Sequence, residues 1–289
     1  MPDRADGASP PAIHFSTERV AGSVQHYYHF LLGLLVPLVN FIIDDEDFRK
    51  RVGLYLRSSG PLDRIVTELD LEDIHILPPE RHQEMQGQRL LPLRLVNLKG
   101  LDTEDRFDPV IFRRVSRFVR DRLQPEVLRT VQSLPPRDPR VLLIRRDEPE
   151  QFYSTAAAEI KTAGAQRRSI SNHAEIRRAV ERVVGPCLEV DFERATLAEQ
   201  IALLSWAKVI VAQHGAALAN LIWSNPPAHV IEIVPRPMQP RVERLQTFGR
   251  LAAGLGLTHE IVWQDDLHGP VDAELLSLRI ATSLPNRST

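Results

Sequence analysis

The second half of the chain alternates two hydrophobic patterns, each with its own period. Short runs rich in Val, Ile and Leu, such as 140–144 and 208–212, predict buried strands. Longer segments such as 172–184 place apolar residues every three or four positions and predict helices with one buried face. Helices between strands at this spacing predict a parallel, doubly wound α/β sheet. The predicted strands are 140–144, 187–192, 208–212, 229–234 and 258–263.

The first half has a less regular pattern, which we interpret as a second α/β unit. Its longest apolar run, 30–43, predicts a buried helix that continues into a buried strand at 39–43. Gly33, Pro37 and Asn40 interrupt this run, which is shorter than the ~20 residues that a membrane-spanning helix needs. The other predicted elements are helix 46–57, strands 64–67, 74–77 and 91–98, and helix 109–123.

Three prolines within the seven residues 133–139 break the chain near its middle. Proline lacks the backbone N–H that regular structure needs, so this segment predicts a linker. We therefore predict a disordered leader over 1–12, an N-terminal α/β domain over 13–134 and a second α/β domain over 135–268. Two units joined by a linker leave a cleft between them, where ligands usually bind.

Composition excludes several classes of protein. The chain has 289 residues, of which 43% are hydrophobic, and a formal net charge of −2. The apolar fraction is too high for a disordered chain, and the near-zero charge argues against a basic nucleic-acid-binding protein. The single cysteine, Cys187, cannot form an internal disulfide or supply a cysteine-rich zinc site. We therefore expect a globular cytoplasmic protein that does not bind nucleic acid.

The strongest local feature is the segment from Gln213 to Asn220, which contains His214, Gly215 and Ala216 between a predicted strand and a short helix. The carboxyl ends of parallel strands face the binding crevice, and a helix N-terminus offers free N–H groups to a phosphate. Gly215 lets the backbone approach a ligand, and His214 can donate a hydrogen bond to it. The alternative is an ordinary strand-to-helix turn with a capping histidine.

Arginines follow the first predicted strand of this half. Arg145 and Arg146 are therefore expected at the same sheet edge, where guanidinium groups suit bidentate binding of phosphate. Arg168 and Asn172 precede the next helix and extend this set. A solvated loop end is the alternative for the arginines, and Asn172 with Glu175 also fits a helix N-cap and its capping partner.

Two further residues have chemistry that the pattern leaves open. Glu232 interrupts an apolar strand, and a buried carboxylate is costly unless it meets a partner. It therefore either contacts a ligand or has a structural hydrogen bond. His29 enters the start of an apolar helix and can act as a general base, with a satisfied core histidine as the alternative.

An acidic segment follows the apolar run of the first half. Asp45 and Asp47 can hold Mg²⁺ or Mn²⁺ for a sugar nucleotide, but acidic residues also suit the first turn of a helix, which we favour. The sequence contains no dinucleotide-binding glycine fingerprint, no phosphate-binding P-loop, no nucleophile elbow and no paired-histidine zinc motif.

Several segments, taken in order, resemble the catalytic region of glycosyltransferase family 61. The most specific is His214-Gly215-Ala216-Ala217-Leu218-Ala219-Asn220, which resembles the family signature H-G-A-x-L-x-N. Upstream, 28–31 resembles the opening helix Y-H-W-L, with Phe30 in place of Trp. The resemblance covers roughly 25–235. The other resembling segments are Leu143-Ile144-Arg145-Arg146, the stretch from Arg168 to Asn172 followed by Glu175, Glu199-Gln200-Ile201, Ala207-Lys208-Val209-Ile210-Val211 and Val230-Ile231-Glu232-Ile233.

The resemblance implies a GT-B fold, in which two Rossmann-like domains face each other across a cleft. The acceptor would bind on the side of 13–134 and the nucleotide-sugar donor in 135–268. The final helix, within 269–289, would pack back across the hinge. His29 would be the catalytic base. The implied donor-binding residues are Arg145, Arg146, Arg168, Asn172, His214, Gly215, Ala216, Asn220 and Glu232.

The resemblance also implies an inverting transfer from a nucleotide-sugar, expected to be a UDP-sugar, to a saccharide or lipid-linked saccharide in polysaccharide, capsule or glycan biosynthesis. We expect no metal cofactor and a location in the cytoplasm or at the inner face of the membrane. Peripheral membrane association and a homodimer stay open. One alternative is an inactive nucleotide-sugar-binding module, because Gly33 stands where the family often has an acidic residue. The other is a metal-dependent transferase that uses Asp45 and Asp47.

Overall fold

The computed structural model describes residues 12–15, 22–44, 53–71, 74–78, 81, 90–91, 108–136, 138–160 and 162–284. Several predictions fall outside these ranges: the leader up to residue 11, the acidic residues Asp45 and Asp47, and most of the predicted strand 91–98. They stay predictions.

The strands form two parallel sheets. They are β1 (Ala12–Phe15), β2 (Gly53–Arg57), β3 (Ile74–Leu77), β4 (Leu90–Leu91), β5 (Val141–Arg145), β6 (Leu188–Asp191), β7 (Val209–Gln213), β8 (His229–Pro235) and β9 (Thr258–Gln264). The first sheet has the order β3-β2-β1-β4 and the second has the order β6-β5-β7-β8-β9. Neighbouring strands run parallel in both sheets. The predicted α/β class is therefore confirmed.

Helices connect the strands and cover the sheets. The α-helices are α1 (Tyr27–Asp44, with a π-helical segment at Leu31–Leu35), α2 (Asp63–Glu68), α3 (Pro109–Arg122), α4 (Gln124–Ser133), α5 (Gly164–Arg167), α6 (His173–Val184), α7 (Leu197–Trp206), α8 (Gln239–Leu245), α9 (Thr247–Leu255) and α10 (Ala273–Ser283). The short 3₁₀ helices are Gly60–Leu62, Gln151–Ser154, Ala216–Trp223 and Arg236–Met238.

The apolar run of the first half forms a single helix, α1. Its π-helical segment, Leu31–Leu35, ends two residues before Pro37. A regular α-helical turn there would press the proline ring against the carbonyl of Gly33, and the wider turn relieves that contact. The strand predicted at 39–43 is wrong, because a helix buried on nearly all sides has the same uninterrupted apolar pattern as a buried strand.

Among the described residues, α1 is the one helix long and apolar enough to cross a membrane, with a mean hydropathy of 1.5 over 18 residues. In the structure 61% of this window is buried inside the protein. Buried core helices meet the same criterion, so α1 is weak evidence for a membrane span.

Two short segments of the first half have the opposite structure from the one predicted. Residues 53–57, which are the described part of the predicted helix 46–57, form strand β2. Residues 64–67, which were predicted as a strand, lie in helix α2. Asp63 opens α2, and its carboxylate accepts a hydrogen bond from the backbone N–H of Ser59 over 2.6 Å. The β-branched residues of α2 favour a strand locally, but their burial in the core outweighs that preference.

The strand order places a crevice beside β5. The chain passes from β5 to β6 on one side and returns to β7 on the other, so the connections that leave β5 and β7 diverge. Ligands of doubly wound sheets usually bind outside the carboxyl ends of the strands at this point. Because β5 ends at Arg145 and β7 ends at Gln213, the residues Arg146 and His214 come to this edge.

The two halves of the chain share one apolar cluster, in which Phe30 of α1 and Trp223 of the second half are both fully buried. Polar contacts join the halves as well. The carboxylate of Glu68 accepts hydrogen bonds from the backbone N–H groups of Leu197 and Ala198, over 2.8 and 2.9 Å. These N–H groups open α7, where the helix dipole favours a negative charge.

The final helix, α10, packs along α6 of the second half. Its last residue, Ser283, lines a cavity together with Asp138 and Pro139 of the linker. The C-terminal end of α10 therefore lies near the predicted hinge, and the rest of α10 packs against α6. The domain boundaries predicted at 12, 134 and 268 stay predictions.

Candidate active site

Two adjoining cavities open where the ends of β5, β7 and β8 approach the first helix. The first cavity includes Gln25, Tyr27, Arg64, Arg146, Glu193 and Asn220. The second cavity includes Tyr28, His29, His214, Glu232, Arg241 and Phe248. The residues that line both are His26, Arg167, Arg168 and Ala216. Two arginines and one histidine therefore lie where the two cavities meet.

Arg146 is held against the turn that follows β7. Its terminal nitrogens donate to the backbone oxygens of Gly164 and His214, each over 3.2 Å, and its buried Nε has no partner among the described residues. A Cβ atom on Gly215 would overlap one terminal nitrogen, so this packing requires glycine. Burial lowers the pKa of Arg146 to about 10.

Arg168 also approaches Gly215, and only 6% of its surface is exposed. Its Nη1 donates to Sδ of Met238 over 2.7 Å, and its Nε has no partner among the described residues. Burial, followed by the charges of Arg146 and Arg167, lowers the pKa of Arg168 to about 9. Neither arginine forms an ion pair with a carboxylate of the described chain. The carboxylates of Glu193 and Glu232 act on Arg146 and Arg168 respectively from beyond ion-pair distance and offset part of their charge. Two neighbouring buried cations are unfavourable, and an anion between them lowers that cost.

Glu232 is a buried carboxylate between two histidines, with 1% of its surface exposed. Its Oε1 contacts Nδ1 of His214, and its Oε2 lies 2.8 Å from Nε2 of His259. Burial alone would raise the pKa of Glu232, but the hydrogen bonds from the two histidines lower it below its ordinary value. Because an ionised carboxylate only accepts hydrogen bonds, Nδ1 of His214 carries a proton and Nε2 is the nitrogen left for a ligand.

Two histidines of the N-terminal segment face the same arginines. His29 lines the second cavity, and its buried Nδ1 has no partner among the described residues. Burial, followed by the charges of Arg167 and Arg241, lowers the pKa of His29. Burial, Arg167 and His29 lower the pKa of His26 to about 4. Both rings are therefore neutral at neutral pH, and each has a lone pair that can accept a proton.

The family described as Glycosyltransferase 61 matches residues 27–231, which is more than half of the chain. The chain belongs to glycosyltransferase family 61. The resemblance drawn from the motifs is confirmed, and membership implies a nucleotide-sugar donor and a saccharide acceptor. No curated protein matches the sequence.

Most residues predicted for this family 61 glycosyltransferase do line the cavities. They are His29, Arg145, Arg146, Arg168, His214, Gly215, Ala216, Asn220 and Glu232. Asn172 lies elsewhere. Its side-chain amide exchanges two hydrogen bonds with the backbone of Val271, over 2.8 and 2.9 Å, and donates a third to Glu175 over 3.0 Å. The Asn172 side chain therefore fastens the start of α6 to the segment before α10.

Arg145 and Asn220 line the first cavity but also have structural partners. Arg145 is 42% exposed and forms ion pairs with Asp147 and Glu189 over 3.2 and 3.4 Å, so the solvated alternative describes it. Oδ1 of Asn220 lies 2.7 Å from the hydroxyl of Tyr27, and its buried Nδ2 has no partner among the described residues. Both N–H donors of the Asn220 amide are therefore without a partner in the described part of the chain.

The residues of the site that were not predicted from the sequence include Glu193, Arg241 and His259. Glu193 lines the first cavity, where burial and the charge of Asp191 raise its pKa to about 7. His259 acts on the site only through Glu232. None of the three belongs to a motif. The order of the strands places His259 at the site, and helix α8 places Arg241 there.

A metal centre is not evident in the described part of the chain. No group of three or more His, Cys, Asp or Glu side chains there is placed to hold an ion. Asp45 and Asp47, the metal ligands considered from the sequence, lie outside the described residues.

Proposed function

We propose that this protein is an inverting glycosyltransferase that moves a sugar from a nucleoside-diphosphate donor, expected to be a UDP-sugar, to a saccharide acceptor. The proposal is carried by Arg146 and Arg168, two buried cations that approach Gly215 and each have an Nε without a partner among the described residues. A diphosphate between them supplies negative charge and hydrogen-bond acceptors, and guanidinium groups bind phosphate in a bidentate manner. Family membership supports the activity class.

We propose a GT-B arrangement of two Rossmann-like domains, with the donor on the second sheet and the acceptor on the side of the first half. The position of the cavities, between α1 and the carboxyl edge of the second sheet, supports this arrangement. The backbone at Gly215 and Ala216 opens the 3₁₀ helix Ala216–Trp223, and its N–H groups suit a phosphate oxygen.

In the proposed reaction, the oxygen of an acceptor hydroxyl attacks the anomeric carbon while the bond from that carbon to the diphosphate oxygen breaks. His29 accepts the hydroxyl proton at a ring nitrogen. Arg146 and Arg168 stabilise the negative charge that develops on the departing diphosphate, and His214 adds a donor to it when Nε2 carries a proton as well as Nδ1. Attack from the face opposite the leaving group inverts the anomeric configuration.

We further propose that the reaction needs no metal ion, because the arginines at the junction of the cavities supply positive charge to the diphosphate. The free thiol Cys187 fits the reducing cytoplasm. We place the enzyme there or at the inner face of the membrane, where a lipid-linked saccharide is a suitable acceptor for polysaccharide biosynthesis.

A thermal-shift series with UDP, GDP and CMP, each with and without EDTA, tests this function. A nucleoside diphosphate at 100 times its Kd should stabilise the protein by about 2.7 kcal/mol, and EDTA should not change the shift. If no nucleotide raised the melting temperature, the proposed donor site would be rejected. A shift that requires Mn²⁺ and disappears in Asp45→Ala would favour the metal-dependent alternative.

Replacing Gly215 by alanine should weaken UDP binding by about 10-fold, because the new methyl group displaces the guanidinium of Arg146 from the turn. Isothermal titration calorimetry with UDP measures this loss. The matched control is Gly254→Ala, where an added Cβ meets nothing within 4 Å, and UDP should bind to this variant as to the wild type. Equal UDP affinities for both variants would contradict the packing argument.

A further inference from the structure

His259 is linked to the site by its contact with the carboxylate of Glu232. It lies on β9, and the parallel register pairs Val230 with His259 and Glu232 with Ile261. Paired residues of neighbouring parallel strands share a face of the sheet, so His259 and Glu232 are diagonal neighbours on one face. Nε2 of His259 thus lies 2.8 Å from Oε2 of Glu232.

Helix α9 closes around both histidines. An ideal Cβ on Gly249 would lie 3.3 Å from Nδ1 of His259, so the absence of a side chain there lets the helix pack close to the ring. The neighbouring Phe248 packs edge-on against His214, with ring centroids 5.3 Å apart. Each histidine ring is therefore enclosed between the sheet and α9.

Each of the two carboxylate oxygens of Glu232 contacts one histidine: Oε1 contacts His214 and Oε2 contacts His259. If the bond to Oε2 were absent, a buried oxygen would have no partner, and rotation of the carboxylate would cost little. With the bond in place, Oε1 stays at Nδ1 of His214 and holds the proton on that nitrogen. Comparable partners behind a metal-bound histidine set its tautomer and orientation.

We propose that His259 is a positioning residue, which fixes Glu232 so that His214 contacts the donor through Nε2 alone. The inference rests on the proposed donor contact of His214, and it adds the reason why that ring presents one defined nitrogen to the cavity.

The charged surroundings of Glu232 are otherwise cationic or neutral. The charge of Arg168 acts on Glu232 from the segment before α6, and His29 of α1 and Arg241 of α8 line the same cavity. Among the described residues of that cavity, Glu232 is the one carboxylate. Burial raises the pKa of Glu232, and the hydrogen bonds from His214 and His259 lower it. Loss of His259 removes one of these two hydrogen bonds. We expect the pKa of Glu232 to rise in that case.

Nitrogen-15 NMR of the histidine rings tests this in the full-length protein without any donor. In the wild type, Nδ1 of His214 should carry the proton. In His259→Phe, a second population with the proton on Nε2 should appear. His259→Gln, whose amide can donate to Oε2, should restore the wild-type signals.

Unchanged His214 signals in His259→Phe, or equal changes in the Phe and Gln variants, would overturn the proposal. Gly249→Ala provides a second test should the Phe variant not fold, because its methyl group presses on the His259 ring and should produce the same change. In transfer assays, kcat/KM should fall about 10-fold in His259→Phe and recover in His259→Gln. Absence of transfer in every protein, wild type included, would count against the proposed function, whereas the NMR result judges His259 alone.

Discussion

Replacing Arg168 by methionine should weaken UDP binding by about 10- to 100-fold and leave the protein as stable as the wild type or more stable. The affinity falls because one charge-assisted hydrogen bond to phosphate is worth about 1.5–3 kcal/mol. The stability is kept because the substitution removes a buried cation that lies near Arg146 and Arg167, and methionine fills similar space. Calorimetry with UDP and urea unfolding measure the two effects.

The matched control is Arg177→Met, which removes an exposed arginine from the surface of α6, where it pairs with Glu181. This variant should bind UDP with the wild-type affinity. A loss of stability in Arg168→Met that parallels its loss of affinity would show that Arg168 serves the fold, and the proposed diphosphate site would lose its main support.

Replacing His29 by alanine should lower kcat for transfer by about 10²- to 10⁴-fold and leave the Kd for UDP unchanged, because general-base catalysis contributes a factor of that size. His29→Gln should show the same loss while it keeps a polar side chain at the cavity wall. Transfer rates and calorimetry on the same preparations separate the two effects. The control is His75→Ala, an exposed histidine of β3 that lines neither cavity.

The pH dependence of kcat gives the second readout for His29. Burial and the charges of Arg167 and Arg241 lower its pKa, so the ring stays unprotonated below the ordinary histidine value of 6.5. Transfer by the wild type should therefore hold level as the pH falls through 6.5 and decline only at more acidic pH. Wild-type rates in His29→Ala, or a decline centred above pH 6.5, would reject His29 as the base.

The sequence predicted the second half of the fold well and the first half poorly. The strands of the second sheet are short apolar runs between helices with one apolar face. This alternation predicts a parallel α/β sheet. The first half contains α1, which is buried on nearly all sides and so has no polar face to reveal its period. The short α2 is rich in β-branched residues, and only its packing in the core makes it helical.

The residues of the site also divide into those that the sequence predicts and those whose position depends on the folded structure. Arg146, Gly215 and His214 directly follow strands, so their place at the sheet edge follows from the strand assignments. The contact of Glu232 with His259, one of its two partners, could not be predicted, because His259 lies on another strand and the contact depends on the register of β8 with β9. Asn172 illustrates the opposite case, in which a motif residue has its side chain bound to the backbone of Val271 away from both cavities.

The central claim is that Arg146 and Arg168 bind the diphosphate of a nucleotide-sugar. The most direct test compares UDP with UMP, and GDP with GMP, by isothermal titration calorimetry on the wild type and on the double variant Arg146→Met/Arg168→Met. In the wild type, one diphosphate should bind about 100-fold more tightly than its monophosphate, and this difference should disappear in the double variant. Equal affinities for diphosphate and monophosphate in the wild type, or a difference that survives in the double variant, would contradict the account.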